Sequence, residues 1–249
     1  MAQIHPISSE RHGKKQLLPL SSWEFTATQH LAPLLVAEFT QSAHCYPIVF
    51  IKNKDEVAPY ALLGLQPGKN LFVDGKNQWQ AKYIPAIFRR YPFTMAHVSE
   101  DSNEYALCVD EESGLVVDEG GSALFDAEGN KTEVLEKALK FTVEFQKQAA
   151  LVKVFCSLLQ ELDLLSPLDI NLKGKDKTVK LEGLLRIDEK KLNELAEEDF
   201  LKLRSRGGLA LIYAHLFSLG KMDILASQMQ GASPKPQLEE TKVPQSFKF

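Results

Sequence analysis

The apolar positions of this chain change period about halfway along it. Before residue 110 they fall in short runs bounded by Pro, Gly, Asn and Asp, as strands separated by turns do. Pro47-Ile48-Val49-Phe50-Ile51-Lys52 reads as a buried strand and Tyr60 to Leu65 as another. Leu71-Phe72-Val73, the turn pair Asp74-Gly75 and a return from Trp79 to Ile84 predict a hairpin. Thr94 to Val98 and Tyr105 to Val109 are two more short strands. Two helices interrupt the series. Leu31, Leu34, Leu35, Glu38 and Phe39 follow helical spacing between Thr28 and Ala43, with Pro33 in a first turn that tolerates its missing N–H. Pro85 opens a short helix over Ile87 to Arg90, which Pro92 stops.

After an acidic, glycine-rich stretch over 110–131 the spacing becomes helical. Asn130-x-x-Glu133 matches a capping box with Asn as the cap. Val134, Ala138, Phe141, Phe145, Ala149, Val152, Cys156 and Leu159 then recur every three or four residues, which predicts a helix of about thirty residues ending before Ser166-Pro167. Leu151, Phe155, Leu158 and Leu162 add a second apolar side, so this helix is expected to run through the core. Leu168 to Leu172 and Thr178 to Ile187 predict a hairpin, and Asp188 caps a short helix. Asp199 to Ser205 extends it or begins another, Gly207-Gly208 breaks the run, and Leu209 to Leu219 forms a last apolar helix. Strands first and helices after, with one hairpin between, predict an α+β fold: a mainly antiparallel sheet from the N-terminal half, packed with a long central helix and C-terminal helices. One domain is expected over 1–230. Pro234, Pro236 and Pro244 among few apolar residues predict a flexible tail over 231–249.

Composition narrows the function classes. With 249 residues, 44% of them hydrophobic and 25% charged, the chain can bury a sizeable core without disulfides or metals. A net charge of −4 offers no basic footprint for nucleic acid. Cys45, Cys108 and Cys156 are odd in number and lack zinc spacing, so they read as free thiols in a reducing compartment. No basic segment followed by an apolar one opens the chain, and no run approaches the roughly 18 apolar residues of a membrane span. The richest run, Leu209 to Leu219, is interrupted by Tyr213, His215 and Ser218. A soluble, cytoplasmic protein without a membrane span is expected.

The candidate chemistry lies between Leu63 and Phe93. Gly64-x-x-x-Gly68-Lys69-Asn70 lacks the spacing and the Ser/Thr of a phosphate loop, and strand residues follow it, which excludes a nucleotide loop. Arg89-Arg90-Tyr91 places two guanidiniums beside aromatics, a combination that holds carboxylate or phosphate. Adjacent helical residues diverge by about 100°, so one arginine faces a cleft while the other faces solvent. The predicted ligand groove comprises Asn70, Phe72, Trp79, Arg89, Arg90 and Tyr91. A rival polar site assembles His12, Glu38 and His44 with Arg89 through tertiary folding, two histidines and a carboxylate being the set a non-haem iron takes. No local metal, cofactor or nucleophile-elbow motif appears, so no catalytic residue, metal or cofactor is predicted.

Several blocks together are similar to a bacterial family of about this length: Ser9-Glu10-Arg11-His12-Gly13, Pro33-Leu34-Leu35-Val36-Ala37-Glu38-Phe39, Tyr46-Pro47-Ile48-Val49-Phe50 and the run from Gly64 to Phe72. They continue in Arg89-Arg90-Tyr91-Pro92-Phe93, Leu124-Phe125-Asp126, Leu181-Glu182-Gly183-Leu184 and Arg206-Gly207-Gly208-Leu209. In these the chain resembles the SapC-like family from about Ile7 to Leu219. That family's label derives from a surface-layer-associated protein, and its members are often described as peptide-transport permeases, which need spanning helices. The resemblance carries over no catalytic residues. It implies the company of flavin-dependent halogenase-like proteins, cupin-like proteins and outer-membrane uptake receptors.

The resulting expectation is a non-catalytic accessory or binding protein that recognises a small anionic ligand or a partner peptide, and so has a small-molecule or protein partner. Two alternatives stand beside it. One is an enzyme, metal-dependent in one version, acting with halogenase-like or cupin-like partners; the other is a surface-layer-associated structural protein.

Overall fold

The computed structural model describes residues 3–98, 104–168, 170–173 and 178–229. Its strands in chain order are β1 Ile4–Pro6, β2 Gln16–Leu17, β3 Leu31–Pro33, β4 Ile48–Asn53, β5 Glu56–Leu62, β6 Phe93–His97, β7 Tyr105–Asp110, β8 Val116–Val117, β9 Ser122–Ala123, β10 Leu165–Pro167, β11 Ile170–Lys173, β12 Thr178–Leu181 and β13 Leu184–Ile187. The helices are α1 Ser9–His12, α2 Phe39–Ala43, α3 Ala86–Arg89, α4 Glu133–Glu161, α5 Glu189–Asn193, α6 Glu197–Ser205, α7 Gly208–Ser218 and α8 Met222–Met229. Every strand pair is antiparallel, and the fold is α+β.

The main sheet has the order β10-β13-β4-β5-β3. Its centre is the β4–β5 hairpin, closed by Lys54-Asp55 with Lys54 at φ 54°. Residues directly opposite share a face, so Ile48, Phe50, Val57, Ala61, Ala32 and Ile187 point to one side, and all are buried. There Phe50 meets Phe39 of α2, Phe155 of α4 and His215 of α7. A second core gathers Phe93, Leu107, Val109, Leu124, Phe125 and Leu135 under the sheet β1-β7-β6. α4 has 29 residues and so rises about 43 Å. Its N-terminal end enters the second core through Leu135, and its C-terminal half enters the first through Val152, Phe155, Cys156, Leu158 and Leu159.

Four expectations need correction. The helix expected over Thr28 to Ala43 is strand β3 followed by a 3-10 turn over Val36–Glu38 and the short α2. A residue before proline is driven to extended backbone, so Ala32 joins the sheet opposite Ala61. The hairpin expected over Leu71 to Ile84 is a loop with a single bridge, Val73 to Trp79, because the Asp74 carboxylate gathers the N–H groups of Lys76 and Gln78, each at 2.9 Å. Asn130 does not cap α4: its N–H is bound 2.7 Å from Asp126 Oδ1, and Thr132 is the cap residue. Nor is α4 buried all round. Leu151 and Val154 are 50% and 54% exposed, since a helix lying on one face of a sheet has an outer side.

At the C-terminal end Gly207, at φ 71°, turns the chain into α7, and the helical run continues well past Leu219. Gly208–Gln228, at a mean hydropathy of 1.4, is long and apolar enough to cross a membrane by length and composition, longer than the sequence spacing predicts. In the fold it is tied to the sheet. The Ile187 N–H donates to His215 Nε2 (3.0 Å) and the Ile48 N–H to Ser218 Oγ (2.8 Å). The tail expected over 231–249 lies outside the described residues.

Candidate functional site

Four residues of α3 place the paired arginines. Pro85 supplies extended backbone at the cap, α3 runs Ala86–Arg89, and a cis Tyr91–Pro92 bond follows. Both guanidiniums lie against the middle of α4. That of Arg89 sits 5.3 Å from the Phe141 ring centroid and 5.4 Å from that of Tyr83, and that of Arg90 sits 4.7 Å from Phe145. Phe141 and Phe145 are one helical turn apart, so the two cations form a short ladder on one side of α4. Arg89 is further fixed by donating from Nε to Ile84 O (2.9 Å) and from Nη2 to the Tyr83 hydroxyl (3.1 Å). Arg90 is half-buried, its guanidinium has no hydrogen-bond or ion-pair partner among the described residues, and burial lowers its pKa. A partly desolvated cation without a carboxylate is electrostatically uncompensated.

Phe145 also forms one end of an apolar groove of about 340 Å³ between α4 and the edge of the main sheet. Leu34, Leu35 and Ile87 stand at that end, Val57, Pro59, Val152 and Cys156 line its length, and Asp55, Glu56, Lys153 and Gln160 form the polar side. Two contacts straddle it: Lys153 Nζ lies 3.2 Å from Glu56 Oε1, and Gln160 Nε2 donates to Asp55 O at 3.3 Å. The ion pair is mostly exposed and so holds weakly. The Cys156 thiol is pushed up to about 12 by burial and stays protonated at neutral pH.

Glu38 anchors this end of the groove. It is 3% exposed, and its Oε1 accepts from the Tyr83 hydroxyl (2.8 Å) and the Ala86 N–H (2.6 Å) while Oε2 accepts from the Leu35 N–H (2.9 Å). One carboxylate thereby ties a groove-lining backbone to the start of α3 and, through Tyr83, to Arg89. Burial and the Glu38 charge raise the Tyr83 phenol to about 12, so it remains a hydrogen-bond donor.

The other residues expected in the ligand groove go elsewhere. Asn70 is a loop clamp: Nδ2 donates to Thr26 O (3.1 Å) and Oδ1 accepts from the Phe72 N–H (2.9 Å). Its loop folds so tightly that a Cβ on Gly64 would lie 1.9 Å from Lys69 O. Phe72 packs edge-on to Tyr46 in the core, and Trp79 Nε1 donates to the Tyr46 hydroxyl and to Tyr83 O, each at 3.0 Å. Tyr91 stacks on Phe25, centroids 4.2 Å apart, in a separate hollow beside Ser113. Only Arg89 and Arg90 of that set share the face of α4.

His12, Glu38 and His44 do not form one site. The Ser8 N–H donates to buried His12 Nδ1 (3.3 Å), which puts the ring proton on Nε2, 3.0 Å from Glu111 Oε1. Glu111 also takes a bidentate bond from Arg11, and that bond, ahead of His12, lowers it to about 2. His44 is exposed and bonds Thr40 O at 2.6 Å. Among the described residues no group of three or more His, Cys, Asp or Glu side chains could hold a metal ion. What sequence reasoning misses is the opposite wall: Phe141, Phe145, Tyr83 and Val57. Phe141 and Phe145 carry a signal, aromatics four apart, but their spacing is that of any core stripe.

The SapC family model matches residues 7–225. No curated protein and no solved structure matches the chain.

Proposed function

The chain belongs to the SapC family, and from that premise we propose that it is a binding protein whose site is the groove between α4 and the β5 edge. The ligand has a linear apolar body and one anionic group; the body lies in the groove and the anion meets Arg90, with Arg89 beside it. The observation that carries this is the half-buried Arg90 guanidinium, held on Phe145 at the groove's end without an acidic partner among the described residues. An apolar concavity with a few convergent polar groups is where ligands ordinarily bind. The protonated Cys156 thiol in its wall supports binding rather than covalent chemistry.

The test uses the fluorophore 8-anilinonaphthalene-1-sulfonate, an aromatic body with one anionic group, titrated into the folded protein. Saturable binding is expected, weakened about tenfold or more in the double variant Arg89→Gln and Arg90→Gln, in line with about 1.5–3 kcal/mol for a hydrogen bond to a charged group. The uncharged analogue N-phenyl-1-naphthylamine should bind both proteins alike. Neither arginine has an acidic partner among the described residues, so the far-UV circular dichroism should be unchanged, while loss of the Arg89 hydrogen bonds and of the ring contacts should lower the melting temperature, and binding is compared below that transition. Equal sulfonate affinity in the folded double variant removes the arginines from the site.

A further inference from the structure

We infer that the occupant of this groove is an extended peptide segment that adds to the edge of β5 at Val57 and presents an acidic side chain or a terminal carboxylate to Arg90; the inference rests on the binding reading above.

The argument starts from hydrogen-bond parity. In the β4–β5 ladder the even residues of β5 face β4, as the Leu62 N–H donating to Pro47 O shows. The odd residues face the other way. The Leu63 N–H donates to His30 O, Ala61 lies opposite Ala32, and Pro59 O accepts from the Leu34 N–H at 3.0 Å. Val57 is next in this series, but the opposing chain has by then turned away into the 3-10 helix Val36–Glu38. The N–H and C=O of Val57 therefore point off the sheet with no strand opposite and no hydrogen-bond partner among the described residues. Val57 is only 6% exposed, and it lines the groove. A buried backbone pair without partners is rare, and a passing strand satisfies both groups.

Shape and charge agree. From Phe145 to Gln160 α4 rises about 22 Å, the span of about seven extended residues. The lining residues follow α4 from Phe145 to Gln160, which suits a linear chain. Pro59 has no N–H and its carbonyl is taken, so the edge offers one donor and one acceptor, both on Val57. Affinity from the backbone is thus modest, and the apolar lining and the arginines must supply the rest.

The experiment presents random heptapeptides with free carboxyl termini to the full chain and titrates the selected peptide. Selection should favour apolar residues with an acidic residue or the carboxylate at one end. N-methylation along its backbone should cost tenfold or more at one position and little at the positions beside it. A peptide amide methylated at the sensitive position can no longer donate to the Val57 carbonyl, so the scan reads this pairing without altering the chain. If no peptide is selected while the sulfonate still binds in an arginine-dependent manner, the occupant is not a peptide and the groove reading survives. A scan with no sensitive position, or dodecanoate displacing the sulfonate where peptides fail, likewise overturns the strand. Loss of arginine dependence for every probe overturns the groove reading itself.

Discussion

Glu38 must be a carboxylate because three donors converge on it from three directions. A glutamine of the same shape turns one acceptor into an NH₂ facing a donor, and a buried donor left without an acceptor costs about 1–3 kcal/mol. Glu38→Gln is therefore expected to lower stability by about 2 kcal/mol or more, read as the urea midpoint, and Glu38→Ala by more. A Glu38→Gln protein as stable as the parent would mean that this carboxylate anchors nothing. His215 makes the opposite demand: it has to stay neutral. It is fully buried, accepts from the Ile187 N–H through Nε2, and is held down to about 3 by burial, with Arg186 a smaller influence. Its folded pKa lies below the ordinary 6.5, so between about 6.5 and about 3 the unfolded chain takes up a proton that the folded one does not. Stability is full above about 6.5 and should fall with pH through that window by about 1.4 kcal/mol per unit. Urea unfolding at pH 6 and pH 5 checks this. His215→Phe should be less stable at pH 7, since the Ile187 N–H loses its acceptor, yet show a shallower slope. An unchanged slope would place the titration elsewhere.

At the scale of elements, legibility followed the range of the interactions involved. α4 was legible because twenty-nine residues of helical spacing report one local period. β4 was legible because its apolar run is short, β-branched and bounded by polar residues, whereas β5, expected over Tyr60 to Leu65, starts at Glu56 because it pairs back on β4 across the turn Lys54-Asp55. Asp188 was legible as a cap because an N-cap is a local bond, here to the N–H groups of Lys190 and Lys191. The segment 28–43 was misread because its apolar residues fit two periods. What decided between them was Pro33 together with a partner strand almost thirty residues away. The site divided in the same way. The Arg89-Arg90 pair stands out in the sequence as a local oddity; neither arginine lines the groove, and the link to it is Phe145, on which the Arg90 guanidinium rests. The surface it meets does not stand out, because Phe141, Phe145 and Val57 come from elements that read as ordinary core. Asn70, Phe72 and Trp79 looked like ligand-binding residues for a related reason. A tight loop that crosses a core needs the same amide and aromatic side chains as a binding cleft, and only their partners tell the two apart.

In the whole molecule α4 joins two cores that are otherwise separate clusters. Leu135 is fully buried in one and Leu159 in the other. Between them lie Phe141 and Phe145, which belong to neither cluster and are covered by guanidiniums instead of by further side chains of a core. Cation–π cover of this kind is worth about 0.5–2 kcal/mol per pair, far less than a packed core position. The joint is thus the weakest part of the long helix, and the groove opens beside it. Leu135→Ala and Leu159→Ala should each cost about 2–5 kcal/mol, but at different places. Native-state hydrogen exchange should show Leu135→Ala loosening the amides of β6 and β7 while β4 and β5 keep their protection, and Leu159→Ala loosening β4 and β5. If Leu135→Ala speeds exchange equally in both sheets, α4 transmits the loss as a rigid rod and the two cores open as one unit. The arginine-covered joint would then be as firm as the cores it connects, and a ligand could enter the groove only by fitting it as it stands. If the sheets respond separately, the joint can yield, and a ligand bridging Arg90 and the groove should slow exchange at α3 and at the adjoining turns of α4 together.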